Sequence, residues 1–557
     1  MNKYLAPILV FALLLTSPSS LAKTKIIYNV NGYTLTGNAQ DNSGELTKFH
    51  ALQINNDIIE KIYSHGEKLP NDSKIERVDG HGNTMLPGLI DAHGHVKSYG
   101  LSLMQVKLEQ TISEQDAVEK AKQYQLENPT LTWIEGRGWN QVNWPDKQFP
   151  SKQLLDKYFP DTPVLLRRVD GHAIWVNSKA MEIAGVNRST ADLPGGQILK
   201  DDQGEPTGVF IDNAMSLIYK AKPKLNQDEL EHVLFTAMTS LASKGLTSVH
   251  DAGIDLANIT AYQALVKQNR MPIRVNAMVD VKDKNWLNTL AKGPYKSADN
   301  MLAINSVKIS VDGALGSRGA ALVEDYSDLP HHKGLLLYSP EQLTSVMKTA
   351  MEFGFQVNTH AIGDNANKQA LDNYQTLIEQ TNSKHLRHRI EHAQVLLPAD
   401  IVRFKQMNII ASMQATHATS DKNMAEDRIG QHRIKSAYAW RTLLDNKIMI
   451  AAGSDFPVEY PNPFFGLHAS VTRQDKDNQP NGGWYGEQRM NLQEALQSFT
   501  LNAAYAGHQE HIIGSLEVGK KADFILIKDD IFNIEPSTIW QIPVEQTWVN
   551  GETVRIK

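Results

Sequence analysis

Between residues 85 and 452, eight short apolar runs alternate with longer stretches that repeat hydrophobic residues every three or four positions. A strand can rejoin its neighbour in parallel only through a crossover, so short runs that alternate with helical patterns dictate parallel βα units. The runs are Met85 to Asp91, Leu246 to Asp251, Ile273 to Val279, Ser306 to Val311, Gln356 to His360, Arg389 to His392, Ile409 to Met413 and Ile448 to Ala452. Eight of them predict an α/β chain built as a closed (β/α)8 barrel of the TIM type. Gln227 to Ser243 and Pro340 to Phe353 read as ordinary amphipathic helices.

The whole chain has 557 residues, more than twice the roughly 250 of a bare barrel. The interval 97–245 is too long for one βα connection and predicts a large insert after the first barrel strand. Both ends, 23–84 and 507–557, alternate apolar and polar residues in short segments, with a hairpin-type Asn550-Gly551. They are expected to build one composite β-sandwich from sequence-distant halves, beside a barrel domain at 85–506. Residues 1–22 read as a signal peptide, with Lys3, an apolar run from Leu5 to Leu15 and the small-residue site Ser20-Leu21-Ala22. A periplasmic or secreted location is therefore expected. No later stretch approaches the ~18 uncharged apolar residues of a membrane helix.

The chain has no cysteine, which excludes disulfides, thiolate ligands, a nucleophilic Cys and a lipidated N-terminal Cys. Its 56 Lys and Arg against 62 Asp and Glu give a formal charge of −6. That balance offers nucleic acid or an anionic membrane no attraction, so a small-molecule substrate is expected. A homodimer is compatible with this reading, though no motif specifies it.

Ligand-type side chains stand at the carboxyl ends of the runs, where barrel enzymes gather their reactive groups. Leu86 to His95 closes its run with two imidazoles one residue apart. Residues two apart on a strand share a face, so His93 and His95 address one ion, and Gly94 keeps the backbone slim between them. Lys308, His360, His392 and Asp455 end or follow later runs. Imidazole and carboxylate without thiolate suit zinc and tolerate manganese, iron or nickel. No Gly-x-Ser-x-Gly elbow offers a serine nucleophile instead.

Taken together, Pro87 to His95, Val307 to Arg318, Thr359 to Asp364, Arg389 to Ala393 and Gly453 to Val458 resemble the amidohydrolase superfamily. The resemblance lies with its YtcJ-like and N-substituted formamide deformylase-like branch and covers nearly the whole chain after the leader. It implies two divalent metal ions, with His93 and His95 on one and His360 and His392 on the other. It further implies a bridging Lys308, carboxylated by carbon dioxide, and Asp455 touching the first ion. An ammonium beside two dications is repelled, so Lys308 serves only when neutral or as an anionic carbamate. The alternative is that it pairs with a nearby carboxylate such as Asp312.

The reaction implied is hydrolysis of a non-peptide carbon–nitrogen bond, in a small amide or N-substituted formamide, by metal-activated hydroxide. Asp455 would act first as general base and then as general acid. Esters and lactones open by the same attack, and an exported metal-loaded binding or regulatory protein is the alternative of a different class. Trp139, His172 and Arg318 are candidates for the substrate pocket. For Trp139 the competing role is packing in the core of the insert, and for His172 that of a satisfied structural histidine. His250 and His417 also fall near strand ends, where hydrogen bonding to substrate competes with a supporting role.

Overall fold

The computed structural model describes residues 24–37, 44–129, 131–168, 173–193 and 196–555. The leader reading at 1–22 and the candidate His172 lie outside the described residues. Eight parallel strands follow one another around a barrel in chain order. They are β1 (Leu89–Gly94), β2 (Leu246–Ile254), β3 (Arg274–Asp280), β4 (Leu302–Ser310), β5 (Gln356–Ala361), β6 (Arg389–His392), β7 (Ile410–Gln414) and β8 (Ile450–Gly453). Past the strand ends, β8 is tied to β1 by Asp455 N–H donating to the His93 carbonyl at 2.7 Å and His95 N–H to that of Phe456 at 2.8 Å. The Asp91 carboxylate reinforces the seam by accepting the Ser454 N–H and hydroxyl. A Cβ on Gly453 would lie 2.6 Å from the His93 nitrogen, so only glycine lets the two strands approach this closely.

The outer helices begin where their sequences supply caps. Asn226 and Glu229 form a capping box ahead of Gln227–Ala242. Ser339 and Gln342 do the same ahead of Pro340–Glu352, with proline in the first turn, where its missing N–H costs nothing. Leu230, Leu234 and Leu241 of the first helix and Leu343 and Met347 of the second are buried in the main hydrophobic core.

The run Met85 to Asp91 is not one strand. Thr84–Pro87 pairs antiparallel with Phe524–Ile527 in the terminal sheet, and Leu89 starts the barrel. The two chain ends thus join as one hydrogen-bonded sheet, ordered Glu552–Thr553, Val544–Val549, Phe524–Ile527, Thr84–Pro87, Thr24–Thr36, Glu45–Asn55 and Ile58–Tyr63, with Glu76–Asp79 beside Thr24–Thr36. A register break between Tyr28 and Gly32 interrupts the pairing of Thr24–Thr36 with Glu45–Asn55. Ile27, Leu52, Phe524, Leu526 and Trp548, drawn from both ends, share one core. Arg274 at the start of β3 fastens this sheet to the barrel through two hydrogen bonds to Asp523, at 2.6 and 2.9 Å.

The insert carries its own six-stranded sheet, from Val106–Lys107 to Pro206–Asp212, and its own aromatic core. Among the described residues no helix is long and apolar enough to cross a membrane.

Candidate metal centre

His93 lies on β1, His360 on β5 and Lys308 on β4, His392 ends β6, and His95 and Asp455 follow β1 and β8. The barrel therefore brings together residues more than 360 positions apart. A Cβ on Gly94 would lie 2.2 Å from the Phe456 ring, which explains the glycine between the two imidazoles. Strict alternation along β6 would turn His392 away from Glu391. Instead its backbone is left-handed, with φ of 74°, and Asp455 likewise has φ of 61°. Each such non-glycine position costs on the order of 1–3 kcal/mol and persists only where the surroundings hold it, as they do at functional sites.

Three of the rings have one nitrogen fixed from behind. The Nδ1–H groups of His93, His95 and His392 donate to Glu391 Oε2 at 2.5 Å, the Ala252 carbonyl at 2.8 Å and Gln414 Oε1 at 2.7 Å. That leaves each Nε2 as a lone pair. His93 Nε2 and His95 Nε2 lie 3.5 and 3.0 Å from Asp455 Oδ1, and His417 Nε2 lies 3.6 Å from Asp455 Oδ2. Lys308 Nζ lies 2.9 Å from His93 Nε2.

Burial holds His93 down to about 4 and His360 to about 3, and pushes His392 well below the ordinary imidazole range. Burial opposes the charge on Asp455, and only positive charge beside it keeps the carboxyl well below its usual range. Neutral imidazoles thus face a carboxylate, acceptor against acceptor, an arrangement that repels unless a cation lies between. Asp455 Oδ1 and the Nε2 atoms of His360 and His417 are buried without a hydrogen-bond partner. The donor set therefore fits divalent metal. His93, His95 and Asp455 form one group with ligand atoms within 4.8 Å of one another, and His392, His417 and Asp455 form a second. Around them opens a cleft of about 530 Å³ whose lining includes Lys308, His360 and His417.

The model of the amidohydrolase family matches residues 76–555. The chain belongs to that family. The YtcJ amidohydrolase of Bacillus subtilis is 34% identical over 490 residues, which span 86% of this chain and 90% of that one. The N-substituted formamide deformylase of Arthrobacter pascens is 23% identical over 86% of this chain and 89% of its own. A metal-dependent hydrolase of uncharacterized function from Pyrococcus furiosus shares the fold with a TM-score of 0.75 at 26% identity, covering 91% of this chain and 99% of that structure.

Within this amidohydrolase fold two pocket candidates stand elsewhere. Trp139 is fully buried in the insert, donates its Nε1–H to the Leu166 carbonyl and packs on Trp144 and Trp175, so it cannot touch substrate. The Arg318 guanidinium is engaged by Asp328, which also takes Arg428, and holds a loop rather than a ligand. Asp312 does not pair with Lys308, because its carboxylate accepts the N–H groups of Ala321, Ile362 and Gly363.

His417 belongs to the centre, on a helix (Ala415–Asp421) that starts where β7 ends. Its place near a strand end was the available signal. His250 lies beneath the site, accepting from Arg389 at 2.8 Å. Glu391 was not singled out at all, although its alternation with Arg389 on β6 marks both as facing inward. Glu391→Gln removes the anion behind His93 and is expected to weaken metal binding about 10–100-fold, read by competition with a chromogenic chelator.

Proposed function

We propose that this amidohydrolase is a metal-dependent hydrolase that cleaves a non-peptide carbon–nitrogen bond in a small amide or N-substituted formamide. The observation that carries this reading is the ionised, partly unpartnered Asp455 carboxylate set among neutral imidazoles at the floor of an open cleft. His93, His95 and Asp455 would hold one ion, and His360, His392 and His417 would serve the other, zinc being the metal that imidazole and carboxylate favour. When bound, such ions lower the pKa of water and polarise a carbonyl.

The chain's own groups do the rest. Asp455, with His95 and His417 on its two oxygens, takes the proton of the attacking water and returns it to the departing nitrogen. Burial pushes the Lys308 ammonium down, toward the free amine that carbon dioxide converts to a carbamate. Once carboxylated, Lys308 would bear the negative charge that two dications need beside them. The leader at 1–22 would export the enzyme. Nitrogen as leaving atom is supported by the deformylase relative, and ester or lactone opening is the competing outcome.

The test pairs metal content by mass spectrometry with turnover on amides, N-substituted formamides, esters and lactones. Amide or formamide hydrolysis that disappears on chelation and returns with zinc is expected. Metal bound stoichiometrically without turnover on any of the four classes would establish a binding protein instead.

A further inference from the structure

Beyond the metal ligands, two kinds of side chain line the cleft. Leu315, Ile362 and Met424 are apolar, whereas Gln394, Asp421 and Glu459 are hydrogen-bond acceptors. Gln394 follows β6, and Asp421 ends the helix Ala415–Asp421, four residues after His417 and so on the same helical face.

Hydrogen bonding fixes which of their atoms are left for a ligand. Gln394 is only 4% exposed, and its Nε2 donates to Asp421 Oδ2 at 3.1 Å and to the Tyr438 hydroxyl at 2.6 Å. That hydroxyl in turn donates to Asp421 Oδ2 at 2.7 Å. Tyr438 is itself clamped, because its N–H donates to the Gln394 carbonyl and its own carbonyl accepts from the buried Arg473 guanidinium at 3.0 Å. A carboxylate only accepts, so the amide turns its nitrogen to Asp421 and its oxygen away. Both amide hydrogens and the tyrosine proton are thereby spent. Gln394 Oε1 and Asp421 Oδ1 accept nothing from the described residues and are open to the cleft.

Every one of these donors to Asp421 is neutral, so its charge stays in place. The same holds for Glu459, which takes the Ser420 hydroxyl. Burial pushes both carboxyls above their usual range. At Asp475 burial acts the same way but is outweighed, chiefly by the Lys422 ammonium at 2.7 Å, so the lysine beside Asp421 is already engaged elsewhere. Among the described residues no arginine lines the cleft, and no lysine but Lys308. Two divalent ions bring positive charge, and Asp280, Asp421, Asp455, Glu459 and, once carboxylated, Lys308 each oppose it with a negative one, so the loaded cleft is not positive overall. An ammonium supplies three donors and a charge to such a wall, where a hydroxyl supplies one donor and none.

We infer that Asp421, with Gln394 Oε1 beside it, selects substrates whose non-reacting end is a primary amine on a hydrocarbon chain, the chain lying against Leu315, Ile362 and Met424. Which end reacts is taken from the hydrolase reading, on which this assignment rests. The substrate class is thereby that of diamines acylated at one nitrogen.

Binding is measured apart from turnover. The metal-loaded Asp455→Asn protein, which holds turnover down, is titrated calorimetrically with mono-N-acetyl diaminoalkanes of graded length. Beside each is titrated the N-acetyl alkylamine that carries methyl in place of the free amino group. At the favoured length the amine is expected to bind about tenfold more tightly or better, with the preference shrinking at high salt. Adding Asp421→Asn keeps an oxygen for the Tyr438 hydroxyl but removes the charge, and is expected to abolish the preference while metal content stays the same. Gln394→Met deletes the second acceptor and is expected to reduce the preference severalfold, which covers the case of a misfolded Asp421 variant. Glu545→Gln, exposed in the terminal sheet, keeps it. Equal affinity for amine and methyl compound at every length overturns the inference. So does a preference unmoved by Asp421→Asn or by Gln394→Met, since the ammonium would then be held elsewhere. Turnover is followed in parallel with Asp455 intact. An Asp421-dependent preference without hydrolysis of any amide would leave the amine site standing and remove the hydrolase reading instead.

Discussion

Asp455→Asn is expected to retain most of its bound metal while losing at least about a hundredfold in kcat, the lower end of what a positioned general base contributes. The substitution keeps the shape and one oxygen but removes the charge and the ability to carry a proton. Five imidazoles and Lys308 remain to hold the ions. The Asp455 backbone stays fixed through its bond to the His93 carbonyl, so the left-handed turn survives. The unpartnered Oδ1 has no neighbouring donor of its own to relay a proton in its place. Metal content and single-turnover rate on the same preparation decide the matter. Loss of metal in proportion to activity would make Asp455 chiefly a ligand, and unchanged turnover would remove it from the chemistry altogether.

The ligands that a strand-end argument can find are the ones carried by a local pattern. His93 and His95 announce themselves by spacing, and His360 by ending an apolar run. His392 and Asp455 were legible by ending or following their runs, but the turn that aims them was not, because both reach the centre on left-handed backbone that no periodicity encodes. The sheet shared by the two chain ends was visible in their alternation. The division of Met85 to Asp91 between that sheet and the barrel was not, since both halves are equally apolar and the break is set by long-range pairing with Phe524–Ile527. Trp139 illustrates the opposite hazard. A tryptophan near glycines reads equally well as pocket wall or core, and only the packing of Trp144 and Trp175 around it decides.

Arg389→Met is expected to destabilise the metal-loaded protein by about 3–5 kcal/mol, the usual consequence of leaving a buried charge without its partner. Arg389 is almost wholly buried inside the barrel. It donates to Glu391 at 2.8 Å, to His250 at 2.8 Å, to the Ala92 carbonyl at 2.7 Å and to the Ser412 hydroxyl at 2.9 Å. It thus joins β1, β2, β6 and β7 under the metal centre. Methionine fills much of the space and satisfies none of these acceptors. Burial alone would push the Glu391 carboxyl up, and Arg389 is the largest influence holding it below its usual range. Without the guanidinium, Glu391 is expected to take up a proton, and the anion that orients His93 through Nδ1 is then lost as well. The damage should therefore be shared rather than additive. Arg389→Met/Glu391→Gln should unfold in urea at a free energy well above that predicted by summing the two single losses, because each single substitution already removes part of the same network. Strict additivity in that cycle would show that the arginine supports the barrel wall independently of the metal-bearing histidine.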